Sequence, residues 1–280
     1  MRKSPYHRYA LMNNPFKFNV RRDIGLFHVK QETDYEIEDL FYEIIERNRK
    51  ALLQIIGENG AGKTERLLLL AERAVEEDIR YWYIDAKEKD TFSVIVEILD
   101  ALSKSGRKLF IIKPGWLKEL KEVKKNIVNE KKIDIERLSN AISGALNERS
   151  PCFLLLDEPA NDELLPLLKK VFDKTDGGLL IAVATEKELD LIPEKIELKG
   201  FDGREAELFV AKRLLSERTI SEKLDPLYPF TADAVHYVNE LVNGNPKKLL
   251  KKMANILDAG VARRIGLIDK DFVIRVISRG

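Results

Sequence analysis

Apolar residues recur every third or fourth position in some parts of the chain and run unbroken in others, and the two patterns alternate. Ile37, Leu40, Phe41, Ile44 and Ile45 line one face of a helix expected over about residues 34–49, with acidic residues concentrated in its first half. The apolar run at 51–56 predicts a buried strand leading into a glycine-rich loop, and a helix containing Leu67 to Leu70 comes after it. Strands are expected again at 81–84, 152–156, 179–184 and near Ile196. Between them fall helices around Phe92, Ile95, Val96 and Leu99, over about 134–147 and over 162–172. This alternation builds a parallel sheet covered on both faces.

Beyond Gly200 the pattern is helical throughout, with helices expected at 204–216, 231–242, 246–258 and 269–278. The third opens on Asn245 as cap and Pro246 at the first helical position, and Leu249, Leu250, Met253, Ala254 and Leu257 repeat at helical spacing. The expected organisation is an N-terminal arm over 1–33, an α/β domain over 34–200 and a small all-helical domain over 201–280. Residues 1–30 carry Arg2, Lys3, Arg8, Lys17, Arg21, Arg22 and Lys30 against Asp23, a net +6, interleaved with Tyr6, Tyr9, Phe16, Phe18 and Phe27. Such a segment either holds phosphates and stacks on bases or simply pins an arm to the core. A second basic stretch, residues 104–132, carries a net +7 through Lys104, Arg107, Lys108, Lys113, Lys118, Lys121, Lys124, Lys125, Lys131 and Lys132, offset by Glu119, Glu122 and Glu130. It reads either as a phosphate-binding patch or as a solvated helical face.

Composition narrows the class. The 280 residues are 44% hydrophobic and 34% charged with a formal net charge of +1, which is globular and names no partner by overall charge. The one cysteine, Cys152, forms no internal disulfide and sits in a strand-like apolar run, so no oxidising compartment is needed and a cytoplasmic protein is expected. No apolar run approaches the length of a membrane helix, so no membrane insertion is expected. Few Gln, Met and Cys among many Lys and Glu suit a thermophile.

Gly57, Glu58, Asn59, Gly60, Ala61, Gly62, Lys63 and Thr64 fit G-x-x-x-x-G-K-[ST], placed between a buried strand and the start of a helix. Glycines let the backbone wrap a β-phosphate so that its N–H groups face the anion. Lys63 supplies charge to the β and γ oxygens, and Thr64 offers a hydroxyl to Mg²⁺. With Glu65 these positions are the expected contacts to ATP or ADP. A second motif, residues 153–158, is a buried strand ending in two carboxylates. A fully apolar strand delivers Asp157 to the carboxyl edge of the sheet, where it can hold Mg²⁺ through its water shell, and Glu158 can act as base toward the attacking water. Thr185, at the end of the strand at 179–184, either reaches the γ-phosphate and the attacking water or caps the next helix. Lys247 and Lys248, at the start of the helix after Asn245, either contact nucleotide or are solvated.

Together these residues resemble the AAA+ class of P-loop ATPases over about residues 34–280, with the loop at 57–64 as Walker A, the strand at 153–158 as Walker B, the run 179–185 as the sensor-1 strand and a helical lid after it. Within that class the chain is similar to the group spanning replication initiators of the origin-recognition type, TniB- and ExeA-like ATPases and STAND signalling ATPases. That similarity rests on residues 198–215, on Gly244 to Leu250 and on Asn14-Pro15-Phe16. The resemblance implies an α/β P-loop NTPase sheet with flanking helices and a helical lid, hydrolysis of ATP with Mg²⁺, Thr185 as sensor 1 and Lys247 as sensor 2. Lys247 stands where related branches place Arg, and it lacks the bidentate guanidinium fork. No Arg occurs between Arg149 and Arg204, where ring-forming members place an arginine finger, which leaves Lys187, Lys195 or Arg204 as substitutes. The winged-helix domain that comes after the lid in initiators is missing before Gly280, so DNA contact is expected from the ATPase body or the arm.

Two functions compete: an ATP-controlled switch on a DNA-associated assembly, bound to double-stranded DNA through the arm and the stretch 104–132, and a STAND-like or assembly-factor ATPase acting on protein partners. A nucleotide-dependent oligomer is compatible with either. An ABC-type ATPase shares the loop and strand words but needs the signature LSGGQ, and Leu138-Ser139-Asn140-Ala141-Ile142 does not supply it. A degenerate, purely structural nucleotide site is opposed by the presence of Lys63, Thr64, Asp157 and Glu158 together.

Overall fold

The computed structural model describes residues 4–17, 25–104, 115–130, 133–159, 162–219 and 224–278. Arg2, Lys3, Phe18, Arg21, Arg22 and Asp23 of the arm, and Arg107, Lys108, Lys113, Lys131 and Lys132 of the second basic stretch, lie outside the described residues. After a short 3-10 helix, Pro5–Tyr9, the elements run α1 (Glu32–Arg47), β1 (Lys50–Ile56), α2 (Lys63–Glu76), β2 (Arg80–Asp85), α3 (Thr91–Lys104), α4 (Gly115–Glu130), α5 (Ile135–Asn147), β3 (Cys152–Asp157), α6 (Leu165–Lys174), β4 (Leu179–Thr185), β5 (Glu194–Glu197), α7 (Gly203–Ser216), α8 (Ala232–Leu241), α9 (Pro246–Ala262) and α10 (Lys270–Ile277). They form two compact units, one of residues 31–57 and 63–198, the other of residues 1–30, 58–62 and 199–280. Among the described residues no helix is long and apolar enough to cross a membrane.

In the first unit five strands lie in the order β2-β3-β4-β1-β5, every neighbouring pair parallel. β3 and β4 are buried from end to end, which is why they read as unbroken apolar runs. The register sets Ile56 beside Thr185, Asp157 beside Ala184 and Asp85 beside Asp157. The carboxyl ends of four strands therefore finish at one edge, where open α/β sheets bind ligands. Gln54, in the middle of β1, is buried, and its amide is fully engaged: it donates to Leu189 O (3.1 Å) and Ile192 O (3.2 Å) and accepts from Leu189 N (2.9 Å), tying down the connection after β4.

Local chemistry explains where boundaries depart from the expected ones. α1 starts at Glu32 because Asp34 is its third residue, not its first: the Asp34 carboxylate accepts from Gln31 N (2.8 Å). It ends at Arg47 because Asn48 takes the left-handed conformation (φ 55) that closes helices. The helix expected from 162 is a 3-10 turn, Asp162–Leu164, and then α6, whose Pro166 sits in the first turn where no N–H is needed. α4 falls within the second basic stretch and is a helix, as the solvated-face reading of that stretch expects. Its Leu117, Leu120, Val123 and Ile127 are buried at helical spacing, and its lysines face outward, with Lys124 paired to Asp100 and Lys118 to Glu122.

The second unit holds the described part of the arm up to Lys30 together with the helices after residue 199. Asp202, Asn245 and Asp269 cap α7, α9 and α10 through their side chains. Tyr9, Phe16 and Phe27 lie in the core with Phe209, Phe230, Met253 and Leu257. Tyr6 Oη donates to Asp258 Oδ1 (2.6 Å), Tyr9 Oη to Ile265 O (2.7 Å), and Asn14 Nδ2 to Ala254 O (3.1 Å). Phe16 packs edge-on against Phe230, and the Arg213 guanidinium lies 3.8 Å over the Phe27 ring. Tyr9, Phe16 and Phe27 are buried in this core, and Tyr6 is half-buried against it.

Candidate functional site

Lys63 opens α2 with only 3% of its surface exposed. Its Nζ donates to Gly57 O (2.8 Å) and stands 3.3 Å from Glu158 Oε1. Thr64 Oγ1 donates to Asp157 Oδ2 (2.8 Å). The structure thus brings together the four residues that the two motifs singled out, at the carboxyl edge of β1 and β3. Asp157 is itself buried, and its Oδ1 has no hydrogen-bond partner. Burial raises the Asp157 pKa, opposed by the hydrogen bonds from Tyr83 and Thr64. Burial also acts to raise Glu158, but Lys63 and then Lys87 outweigh it, so Glu158 is held below the ordinary carboxylate value and stays ionised at neutral pH.

Glu158 comes directly after β3 in the left-handed region (φ 49), an uncommon conformation for a residue with a side chain, held in part by its N–H to Ala184 O (3.1 Å). Lys87, in the turn after β2, lies 3.4 Å from Glu158 Oε2, and its own pKa is raised by that carboxylate. Tyr83 Oη donates to Asp157 Oδ2 (2.7 Å). Neither Lys87 nor Tyr83 is signalled by the motifs. Both reach the site from the neighbouring strand, and only the strand order would have pointed to them.

A hard oxygen pair, the Thr64 hydroxyl and the Asp157 carboxylate with one buried oxygen lacking a partner, fits Mg²⁺. Among the described residues no group of three or more His, Cys, Asp or Glu side chains would cage a metal alone. The ion would therefore share its shell with water and phosphate oxygens, as magnesium commonly does.

The remaining loop residues, 58–62, belong to the second unit. Gly60 (φ 87) and Gly62 (φ 99) take conformations that favour glycine, and Ala61 N closes a turn on Glu58 O (3.0 Å). Asn245 Nδ2 donates to Asn59 O (3.0 Å), Lys247 N to Gly60 O (3.4 Å), Lys247 Nζ to Asn59 Oδ1 (3.1 Å) and Lys248 Nζ to Glu58 Oε2 (3.1 Å). A Cβ on Gly60 would come within 2.5 Å of Lys247 Cβ. Lys247 and Lys248 are thus brought to the loop itself. Thr185 is buried, and its Oγ1 donates to Lys187 O (2.9 Å) and accepts from Lys187 N (3.2 Å), closing the turn after β4. Glu65 sits half-buried in the first turn of α2. Lys195 is paired with Glu188, and Arg204 is exposed at the start of α7.

No protein-family model matches the chain, and no curated protein matches it. Solved structures do. The Drosophila ORC bound to DNA superposes with a TM-score of 0.57 at 12% identity, over 98% of this chain and 64% of that one, so this chain spans less than two thirds of that relative. The Aeropyrum pernix ORC1 protein in complex with DNA gives 0.56 at 13% identity, over 92% of this chain and 69% of that one. Domain III of the Thermotoga maritima replication initiation protein DnaA gives 0.50 at 15% identity, over 94% of this chain and 98% of that one. At these identities the likeness is one of fold alone: a parallel sheet with flanking helices followed by a helical region.

Proposed function

We propose that this chain is an ATP-binding and ATP-hydrolysing switch that controls a DNA-associated assembly. The observation that carries the reading is the convergence of Lys63, Thr64, Asp157 and Glu158 at one sheet edge, with Lys63 buried and Asp157 Oδ1 lacking a partner. Lys63 would hold the β and γ oxygens, and the N–H groups of Lys63 and Thr64 at the head of α2 would face the phosphates. Glu158, ionised, would accept a hydrogen bond from the attacking water and hold it in line, with Lys87 keeping the carboxylate in place. Asp157 and Thr64 would hold Mg²⁺, which when bound offsets charge on the phosphoryl oxygens. Lys247, beside Asn59, is the residue of α9 placed to sense the state of the loop.

The DNA limb is supported by two of the fold relatives, the Drosophila ORC and the Aeropyrum pernix ORC1 protein, both determined with DNA, and by the basic arm and the stretch 104–132. The experiment is steady-state ATP hydrolysis with and without duplex DNA at low salt, where phosphate contacts are strongest. Stimulation by DNA that fades as salt rises supports the reading; turnover indifferent to DNA removes the DNA limb. The second reading, an ATPase acting on protein partners, is favoured by the burial of Tyr9, Phe16 and Phe27, which takes those rings out of any base-stacking role.

A further inference from the structure

Tyr83 belongs to neither motif, yet it bonds the aspartate at the centre of the site. β2 and β3 run parallel with Asp85 beside Asp157 and Tyr83 beside Leu155, so Tyr83 stands two residues, about 7 Å of strand, before the aspartate. The length of a tyrosine spans that step. Its phenol meets Asp157 Oδ2 at 2.7 Å from the β2 side, while the Thr64 hydroxyl meets the same oxygen at 2.8 Å from α2. Two donors on one oxygen fix the rotation of the carboxylate and leave Oδ1, buried, as the oxygen with no partner.

A carboxylate with a single donor would turn about its Cβ–Cγ bond and would need to be ordered each time a cation arrives. We propose that Tyr83 is a positioning residue for magnesium: by holding Asp157 through Oδ2 it presets Oδ1 as the oxygen left to receive the ion's shell. This rests on the ATP and Mg²⁺ reading above. Partners that orient a metal's ligands from behind commonly govern its affinity. Nothing in the phosphate loop can substitute, because Thr64 approaches the same oxygen and not its neighbour.

The test uses Tyr83→Phe, which keeps the ring and removes one donor. Binding of a fluorescent ATP analogue is titrated against Mg²⁺ and repeated in EDTA, with melting temperatures alongside. The expected result is unchanged affinity in EDTA, an unchanged melting temperature and a Mg²⁺ midpoint raised by about tenfold. Tyr83→Leu, which removes ring and donor together, is expected to lower the melting temperature while moving the Mg²⁺ midpoint no further than Phe does. A Tyr83→Phe midpoint equal to that of the wild type overturns the proposal, as does a loss of affinity of the same size in EDTA, which would make Tyr83 a packing residue only. Wild-type protein that binds no analogue, or binds it equally after Lys63→Ala, overturns the ATP reading itself and with it this inference; that outcome is distinct from a wild type that responds to Mg²⁺ beside a variant that responds identically.

Discussion

The two ends of the glycine-rich loop at 57–64 are held by different kinds of contact. Lys63 and Thr64 are tied to Gly57, Asp157 and Glu158 by groups that are buried or partly buried, whereas the exposed side chains of Lys247 and Lys248 reach Asn59 and Glu58, beside the buried Asn245 amide on Asn59 O and the Lys247 N–H on Gly60 O. Removing one member of a buried pair strands a charge away from water, and removing one member of an exposed pair leaves a hydrated partner. The difference teaches that Lys63 and Asp157 are fixed where water is largely excluded, while the lysine side chains of α9 hold the loop by contacts that individually contribute little free energy.

The sharpest way to break that contrast is Lys63→Ala. It removes a buried cation beside Glu158 and is expected to abolish tight ATP binding, measured with a fluorescent analogue; binding within about threefold of wild type, no more than the ~0.7 kcal/mol of a surface contact, would erase the distinction. Gly60→Ala probes the other end. Its Cβ would clash with Lys247 at 2.5 Å and its φ of 87 disfavours any side chain, so affinity is expected to fall by about tenfold, corresponding to the ~1.4 kcal/mol range of local strain. Lys248→Ala removes only the exposed pair with Glu58 and is expected to change affinity by less than about threefold, with the difference vanishing in high salt.

The smallest effect belongs to a control for exposed pairs outside the loop. Hydrogen bonds from Lys170 and then Lys174 hold Glu136 down to about 2, below its unfolded value, so their contribution to stability is present above the ordinary carboxylate range and is lost as pH falls toward 2. Glu136→Gln is expected to lower the melting temperature slightly at neutral pH, with the gap closing by about pH 2; a gap independent of pH would show that charge is not its source.

Legibility in the sequence tracks the range of the forces involved. The loop at 57–64 and the strand 152–157 are local signals, a glycine spacing and an unbroken apolar run, and they lead directly to Lys63, Thr64, Asp157 and Glu158. The helices after residue 200 are legible because Asn245 with Pro246, and the apolar spacing after them, are local too. Tyr83 and Lys87 are not, because each enters the site across the β2–β3 pairing, and strand order is written in no single segment. In α4 the density of lysines draws the reading toward charge and obscures the spacing of Leu117, Leu120, Val123 and Ile127, which is what makes it a packed helix. The arm stays open between two readings in sequence because burial of Tyr9 and Phe16 is set by Tyr228 and Phe230, more than two hundred residues later.

The most direct test of the central claim, that this edge of the sheet hydrolyses ATP with Glu158 as the base, is turnover and ATP binding measured together in Glu158→Gln. The expected result is ATP retained with wild-type affinity or better and hydrolysis reduced by at least about a hundredfold, the range of a lost general base. Hydrolysis unchanged in Glu158→Gln would contradict the claim and remove Glu158 from that role.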